Sequence, residues 1–157
     1  MAVTSVRYNF SQHFAIPAQD AFAWSVDYQP DDLVLMGEKG KRKIEWISED
    51  AVIVTDTVRI NKESMTKARL VRIYPERLSW TNTHLSGPNK HSQFLYEILP
   101  DDKGGSRLNF TGLQLNYGRK KATKAETVRL AREYAVADSE TWVRLAAAME
   151  NDLGHRS

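Results

Sequence analysis

The 157-residue chain contains no cysteine, which excludes disulfide cross-links, thiolate nucleophiles and cysteine metal ligands. A cytoplasmic location is compatible with that absence and is the expectation. No apolar run approaches the roughly 20 residues that a membrane-spanning helix needs, so no integral membrane segment is expected. The opening "MAVTSVRYNF" lacks the long apolar core of a secretory leader. An excess of one charge is missing too. Lys and Arg number 22 against 20 Asp and Glu, a formal net charge of +2, too small by itself to imply a polyanionic partner such as nucleic acid.

Cofactor and metal signatures are also lacking. His13, His84, His91 and His155 are scattered, and none falls in a zinc-ligand spacing, so no metal is expected. There is no Walker loop and no dinucleotide fingerprint, and no cofactor is expected. "GEKGKRK" carries Gly37 and Gly40 without the P-loop pattern or its Ser/Thr, and is read as a turn. No nucleophile-elbow motif supports a Ser-His-Asp triad. The basic tract "YGRKKATK", with Arg129 and Arg132 beyond it, is either a contact for an anionic surface or a solvated loop and helix face. It lacks the interleaved aromatics of a nucleic-acid module.

What the chain does have is an ordinary globular balance, 41% hydrophobic and 27% charged, at a length that suits one domain spanning residues 1–157. Val6, Tyr8, Phe10, Phe14 and Ile16 share one parity, and Arg7, Asn9, Ser11 and His13 the other. That alternation predicts a strand with one wet face. Pro17 then suits the first turn of a helix, and Asp20 falls where the helix dipole favours a carboxylate. Ala18, Ala21, Phe22, Ser25 and Val26 form one small face. A second short helix is expected after Pro30.

Six further strands follow: "KRKIEWI", "AVIVTDTVRI", "SMTKARLVRIY", "RLSWTNTHL", "HSQFLYEIL" and "SRLNFTGLQLNY". Short turn-like separators such as "SED", "NKE" and "SGPN" imply an antiparallel meander. In the last strand Leu108 and Phe110 hold one parity while Leu113, Leu115 and Tyr117 hold the other, which predicts a bulge or bend at Gly112. A capping box, Thr123 to Glu126, opens the final segment. Val128, Ala131, Tyr134, Ala135, Trp142, Leu145, Met149 and Leu153 recur at three- and four-residue steps. They predict an amphipathic helix over about 123–153, stopped at Gly154.

The fold class is therefore α+β: a seven-stranded curved antiparallel sheet gripping a long C-terminal helix, with two short helices after the first strand. This element order resembles the START-like superfamily, also called SRPBCC or birch-pollen-allergen-like. The opening Ile16, Pro17, Ala18, Ala21 and Phe22 and the closing Trp142, Leu145, Met149 and Leu153 carry the resemblance. It implies a helix-grip fold with a cavity between sheet and long helix.

Several polar residues sit at positions predicted to face inward. Leu78, Trp80, Asn82 and His84 share a parity, so Asn82 and His84 project into the buried side or lie at its mouth. Asp56 shares a parity with Val52, Val54, Val58 and Ile60. Asp138 interrupts the apolar stripe of the long helix, four residues from both Tyr134 and Trp142. A carboxylate there either pairs with an internal Arg or Lys or faces a wet cavity, because burying it unpaired would cost several kcal/mol or raise its pKa. In the structural alternative, Asp138 is a satisfied ion pair, Asp56 lies beyond a bulge and His84 sits at a strand end.

Trp80, Asn82, His84, Tyr96, Tyr134, Asp138 and Trp142 are the candidate ligand-binding residues, and His84, Asp138 and Asp56 the candidate proton-transfer groups. Trp24, Trp46 and Tyr117 are further rings that could line a pocket or simply fill the core. The START-like resemblance implies three functions. One is binding of a small hydrophobic molecule: a lipid, polyketide-like compound or aromatic metabolite. Another is an enzyme of the polyketide cyclase/dehydratase type. The last is a protein-interaction module resembling heat-shock ATPase activators, with no particular partner indicated.

Overall fold

The structure, a computed structural model, describes residues 1–154; His155 lies outside them. Strand β1 (Ala2–Phe14) runs into α1 (Ala18–Ser25) and α2 (Asp32–Leu35). Strands β2 (Gly40–Ser48), β3 (Ala51–Ile60), β4 (Glu63–Tyr74), β5 (Ser79–His84), β6 (Gln93–Pro100) and β7 (Ser106–Gly118) follow, and α3 (Lys124–Leu153) closes the order. A 3-10 turn, Pro75–Arg77, links β4 to β5, and Leu78 leaves it in the left-handed conformation at φ 48°.

The seven strands form one sheet in the order β1-β7-β6-β5-β4-β3-β2. Every neighbouring pair is antiparallel, as short turns between consecutive strands require. β1 pairs with β7 over its full length, from Ala2 opposite Gly118 to Phe14 opposite Ser106. The turn at Ile16–Pro17 thus joins a sheet strand directly to α1, with Pro17 as the residue before the helix.

The expected bulge at Gly112 is absent. β7 keeps unbroken register there, with Gly112 opposite Tyr8 on one side and Phe94 on the other. The glycine makes room instead: a Cβ at Gly112 would lie 2.8 Å from the Phe110 ring and 3.0 Å from the Phe94 ring. The inner parity simply turns polar beyond it, at Gln114 and Asn116, while Leu113, Leu115 and Tyr117 take the other face. The register shift that does occur lies between Trp46 and Ser48.

α3 opens with a complete capping box. Thr123 Oγ1 accepts from the Glu126 N–H at 3.2 Å, and Glu126 Oε2 accepts from the Thr123 N–H at 3.0 Å, satisfying two donors the helix would leave free. Its far end is tied to the β1–α1 corner. The Ala15 N–H donates to Glu150 Oε1, and Trp24 Nε1 donates to Asp152 Oδ2, each at 2.9 Å. Two apolar clusters fill the grip. The larger joins Phe14, Phe22, Val54, Trp80, Trp142 and Met149. The smaller, Tyr8, Phe94 and Phe110, packs against Ala131, Tyr134 and Ala135. Val128, expected in the apolar stripe, is exposed, because the helix meets the core only from Ala131 onward. No described helix is long and apolar enough to cross a membrane.

Candidate functional site

Between the sheet, the two short helices and the C-terminal half of α3 lies a half-open cavity of about 590 Å³. Its apolar wall is aromatic. Trp80 and Tyr96 face each other across β5 and β6 and stack with centroids 4.9 Å apart and ring planes 2° from parallel. Trp142 of α3 meets these rings at 6.2 and 5.9 Å. Trp24, Leu145 and Met36 complete the wall nearer the mouth.

The inner end of the cavity is polar. Strand pairing sets Arg42 of β2 opposite Asp56 of β3. Arg42 donates from Nε to Asp56 Oδ1 at 2.7 Å and from Nη2 to Oδ2 at 3.0 Å, a two-pronged pair. Arg69 of β4 adds a third bond, Nη1 to Oδ2 at 3.1 Å. All three side chains are buried. Burial alone disfavours an ionised Asp56, but the bonds and charges of the two arginines outweigh it and hold the carboxyl below its ordinary range. Burial likewise works against Arg42, and Asp56 reverses that, keeping the guanidinium firmly protonated.

The two arginines are not equally engaged. Arg42 also places Nη2 3.5 Å from Met36 Sδ and Nη1 3.9 Å from Asp32. Arg69 commits Nη1 to Asp56, and its buried Nε has no hydrogen-bond partner. Beside it, Asn82 donates from Nδ2 to the Tyr96 hydroxyl at 3.3 Å, while its Oδ1 is buried without a partner. Tyr28 lines the same region, and burial pushes its hydroxyl pKa up. Tyr96 is raised by burial first, with the Asp138 charge adding to it. The cavity thus joins a flat apolar wall to unspent hydrogen-bonding capacity on Arg69 and Asn82.

Among the residues singled out from the sequence, Trp80, Asn82, Tyr96 and Trp142 line this cavity. Asp56 lies behind it, in regular strand register rather than beyond a bulge, with its oxygens taken up by the arginines. His84, Tyr134 and Asp138 are not part of the lining. His84 is the last residue of β5, set edge-on to Phe94 with its Nδ1 buried and unpartnered. Burial first, and then the charges of Arg69 and Lys67, lower its pKa to about 4. The Tyr134 hydroxyl accepts from Asn116 Nδ2 at 2.7 Å.

Asp138 has neither an internal cation as its hydrogen-bond partner nor a place in the cavity lining. Its Oδ2 accepts from the Tyr8 hydroxyl at 2.5 Å. Position 8 of β1 points inward beneath α3, and a phenol satisfies the carboxylate there. Burial raises the Asp138 pKa, with the Tyr8 bond and the Lys67 charge opposing. Trp46 is half exposed on β2, away from the cavity. Arg119, Lys120, Lys121 and Lys124 of the basic tract are exposed to solvent, and Arg129 pairs with Glu133 at 3.1 Å.

Arg42, Arg69 and Tyr28 were not singled out from the sequence. Their signal was parity: Arg69 alternates with Val71 and Ile73, and Arg42 with Ile44. Each arginine therefore falls on the inward face of its strand.

No protein-family model and no curated protein matches the chain. Solved structures do. The Zhui aromatase/cyclase from Streptomyces sp. R1128 is 17% identical, with a TM-score of 0.69 over 99% of this chain and 96% of that one. A START superfamily protein from Mycobacterium smegmatis is 13% identical, with a TM-score of 0.67 over 97% and 99%. The di-domain aromatase/cyclase StfQ of the steffimycin biosynthetic pathway gives a TM-score of 0.76 at 10% identity, and this chain covers 96% of its own length and 52% of StfQ. At such identities the likeness is one of architecture: the chain has the START-like helix-grip fold.

Proposed function

We propose that the chain binds a small, flat, hydrophobic molecule bearing an oxygen, such as a polyketide-like or aromatic metabolite, in the cavity between sheet and α3. One observation carries this reading: an aromatic wall of Trp80, Tyr96 and Trp142 ends at Arg69 and Asn82, each with an unpartnered buried polar atom. The volume of about 590 Å³ falls in the range of roughly 300–1,000 Å³ typical of ligand pockets. A ring-bearing ligand would lie against the wall and present its oxygen to Arg69, Asn82 and Tyr28.

The probe is 1-hydroxyanthraquinone, and the readout is quenching of tryptophan fluorescence, since Trp24, Trp80 and Trp142 all line the cavity. Saturable quenching with a rise in melting temperature is expected. Arg69→Met removes the inner donor and should weaken binding roughly tenfold, the worth of one charge-assisted hydrogen bond. No saturable binding, or equal binding by the variant, overturns the reading.

A second reading, a polyketide cyclase/dehydratase-type enzyme, is favoured by the same convergence. Donors from Arg69 and Tyr28 beside a bound carbonyl would stabilise negative charge developing on its oxygen. His84 and Asp138, outside the lining, would then act on a reaction only through intervening groups. Turnover that Arg69→Met abolishes while binding persists separates an enzyme from a binding protein.

A further inference from the structure

The outer end of the cavity has the opposite electrical character from its inner end. Asp27 and Asp31, on the α1–α2 connection, and Asp152, in the last turn of α3, are exposed and line the mouth, and Asp32, at the start of α2, lies between them and Arg42. Four carboxylates and two guanidiniums in the lining leave two formal negative charges, whereas the whole chain is formally +2. Overall composition therefore does not account for the acidity of the mouth.

Three of these carboxylates accept hydrogen bonds, and among the described residues they are only weakly neutralised. Asp27 Oδ1 accepts from Gln29 Nε2 at 3.0 Å, Asp32 Oδ2 from the Gln29 N–H at 2.9 Å, and Asp152 Oδ2 from Trp24 Nε1 at 2.9 Å. Among the described residues, the one cation within 4.0 Å of any of them is Arg42, 3.9 Å from Asp32, and its stronger bonds go to Asp56. Burial raises the Asp32 pKa, with the Gln29 N–H bond and the Arg42 charge opposing and the like charges of Asp31 and Asp27 adding to it. A cavity walled by low-dielectric rings focuses such a field on whatever enters.

The floor supplies the second, independent sign of a ligand. Arg69 and Asn82 are 8% and 6% exposed, line the same cavity and carry the unpartnered Nε and Oδ1. We infer that the ligand is bipolar: a flat apolar body, a hydrogen-bonding oxygen at the Arg69–Asn82 end, and a cationic amine at the aspartate-lined mouth. This rests on the ligand-binding reading of the cavity and narrows it to amine-bearing aromatic compounds.

Three probes share one hydroxynaphthalene ring: an ethylamine, its N-acetyl derivative and a carboxylate of equal length. Their affinities are measured by calorimetry at low and at high salt. The amine should bind roughly tenfold more tightly than the N-acetyl compound at low salt, and the gap should shrink at high salt as exposed charges are screened. The carboxylate should bind most weakly. In the double variant Asp27→Asn, Asp31→Asn, both sites being exposed, the preference for the amine over the N-acetyl compound should shrink to within about twofold. Equal affinity of all three probes, or an amine preference that survives both salt and the double variant, overturns the bipolar ligand while leaving the cavity reading intact. Failure of every probe, together with failure of 1-hydroxyanthraquinone, overturns the cavity reading itself.

Discussion

Replacing Asp56 with asparagine removes the one carboxylate that holds two buried arginines together. Asp56 accepts three N–H bonds, at 2.7, 3.0 and 3.1 Å, and is 1% exposed. Asparagine keeps the shape but offers one oxygen in place of two, and no charge. Arg42 and Arg69 then remain buried together, with Asp32 at 3.9 Å from Arg42 as the nearest countercharge. Removing one partner of a buried pair costs roughly 3–5 kcal/mol. A charge-assisted bond contributes roughly 1.5–3 kcal/mol, so losing one or two and weakening the rest gives the same range. In a chain of this size the melting temperature should fall by roughly 10 °C.

Urea denaturation of the two proteins from pH 8 down to pH 3 is the assay. The Asp56 pKa is lowered in the fold, so its stabilisation is fully present above the unfolded carboxylate value of about 3.9 and is lost as pH falls through the folded value. The gap between the proteins should therefore stay constant from pH 8 to about 5 and close in stronger acid, where protonated Asp56 comes to resemble asparagine. Replacing the trio together, with Arg42→Met, Asp56→Leu and Arg69→Met, should recover most of the loss, since a well-packed apolar substitute avoids the desolvation of three charges. A loss below about 1 kcal/mol at pH 7 would fall outside the range for a broken buried pair and refute the reasoning, as would a gap that persists unchanged at the lowest pH.

Two further outcomes concern the other half of the grip. His84 has a folded pKa of about 4 against an ordinary 6.5. Its contribution is fully present above 6.5 and lost as pH falls toward 4, at most about 3 kcal/mol. Asp138, whose pKa is raised, acts in the opposite sense, so the comparison is best made in an Asp138→Asn background. There, His84→Gln should flatten the stability profile between pH 6.5 and 4, and parallel profiles would contradict the assignment. Gly112→Ala sets a Cβ 2.8 Å from the Phe110 ring and 3.0 Å from the Phe94 ring. It should lower stability by about 1–3 kcal/mol, read as a shift of the urea midpoint, whereas an unchanged midpoint would mean that the rings yield freely.

The fold was legible because its signals are local and agree with one another. Alternation along Val6, Tyr8 and Phe10, the Pro17 start of α1, the turns between strands and the Thr123–Glu126 box each specify an element without reference to the rest. The parity switch at Gly112 misled because a missing side chain has two readings. A glycine can mark a bulge, or it can clear space for rings on neighbouring positions, and choosing between them needs the register of Tyr8 and Phe94 on either side. Asp138 was similar. Its place on the buried stripe was readable, but the Tyr8 hydroxyl that satisfies it lies 130 residues away, beyond any local pattern.

The arginines of the cavity occupy a middle ground. Asp56 alternates with Val52, Val54 and Val58, so an inward carboxylate on β3 was visible in the sequence, and an inward carboxylate requires a partner. β2 and β3 are joined by a turn at Glu49–Asp50, which by its length alone would set Arg42 opposite Thr57; the register shift between Trp46 and Ser48 brings Arg42 opposite Asp56 instead. The next hairpin brings Lys67 opposite Asp56 and Arg69 two residues along on the same face, within diagonal reach. Periodicity and turn length together thus bring Arg42 beside Asp56, and the register shift near Trp46 completes the pairing. What they leave open is how Arg69 divides its donors between Asp56 and the cavity. That division depends on side-chain geometry to a few tenths of an ångström, and on it rests whether the floor of the cavity is saturated or has a hydrogen bond left to give.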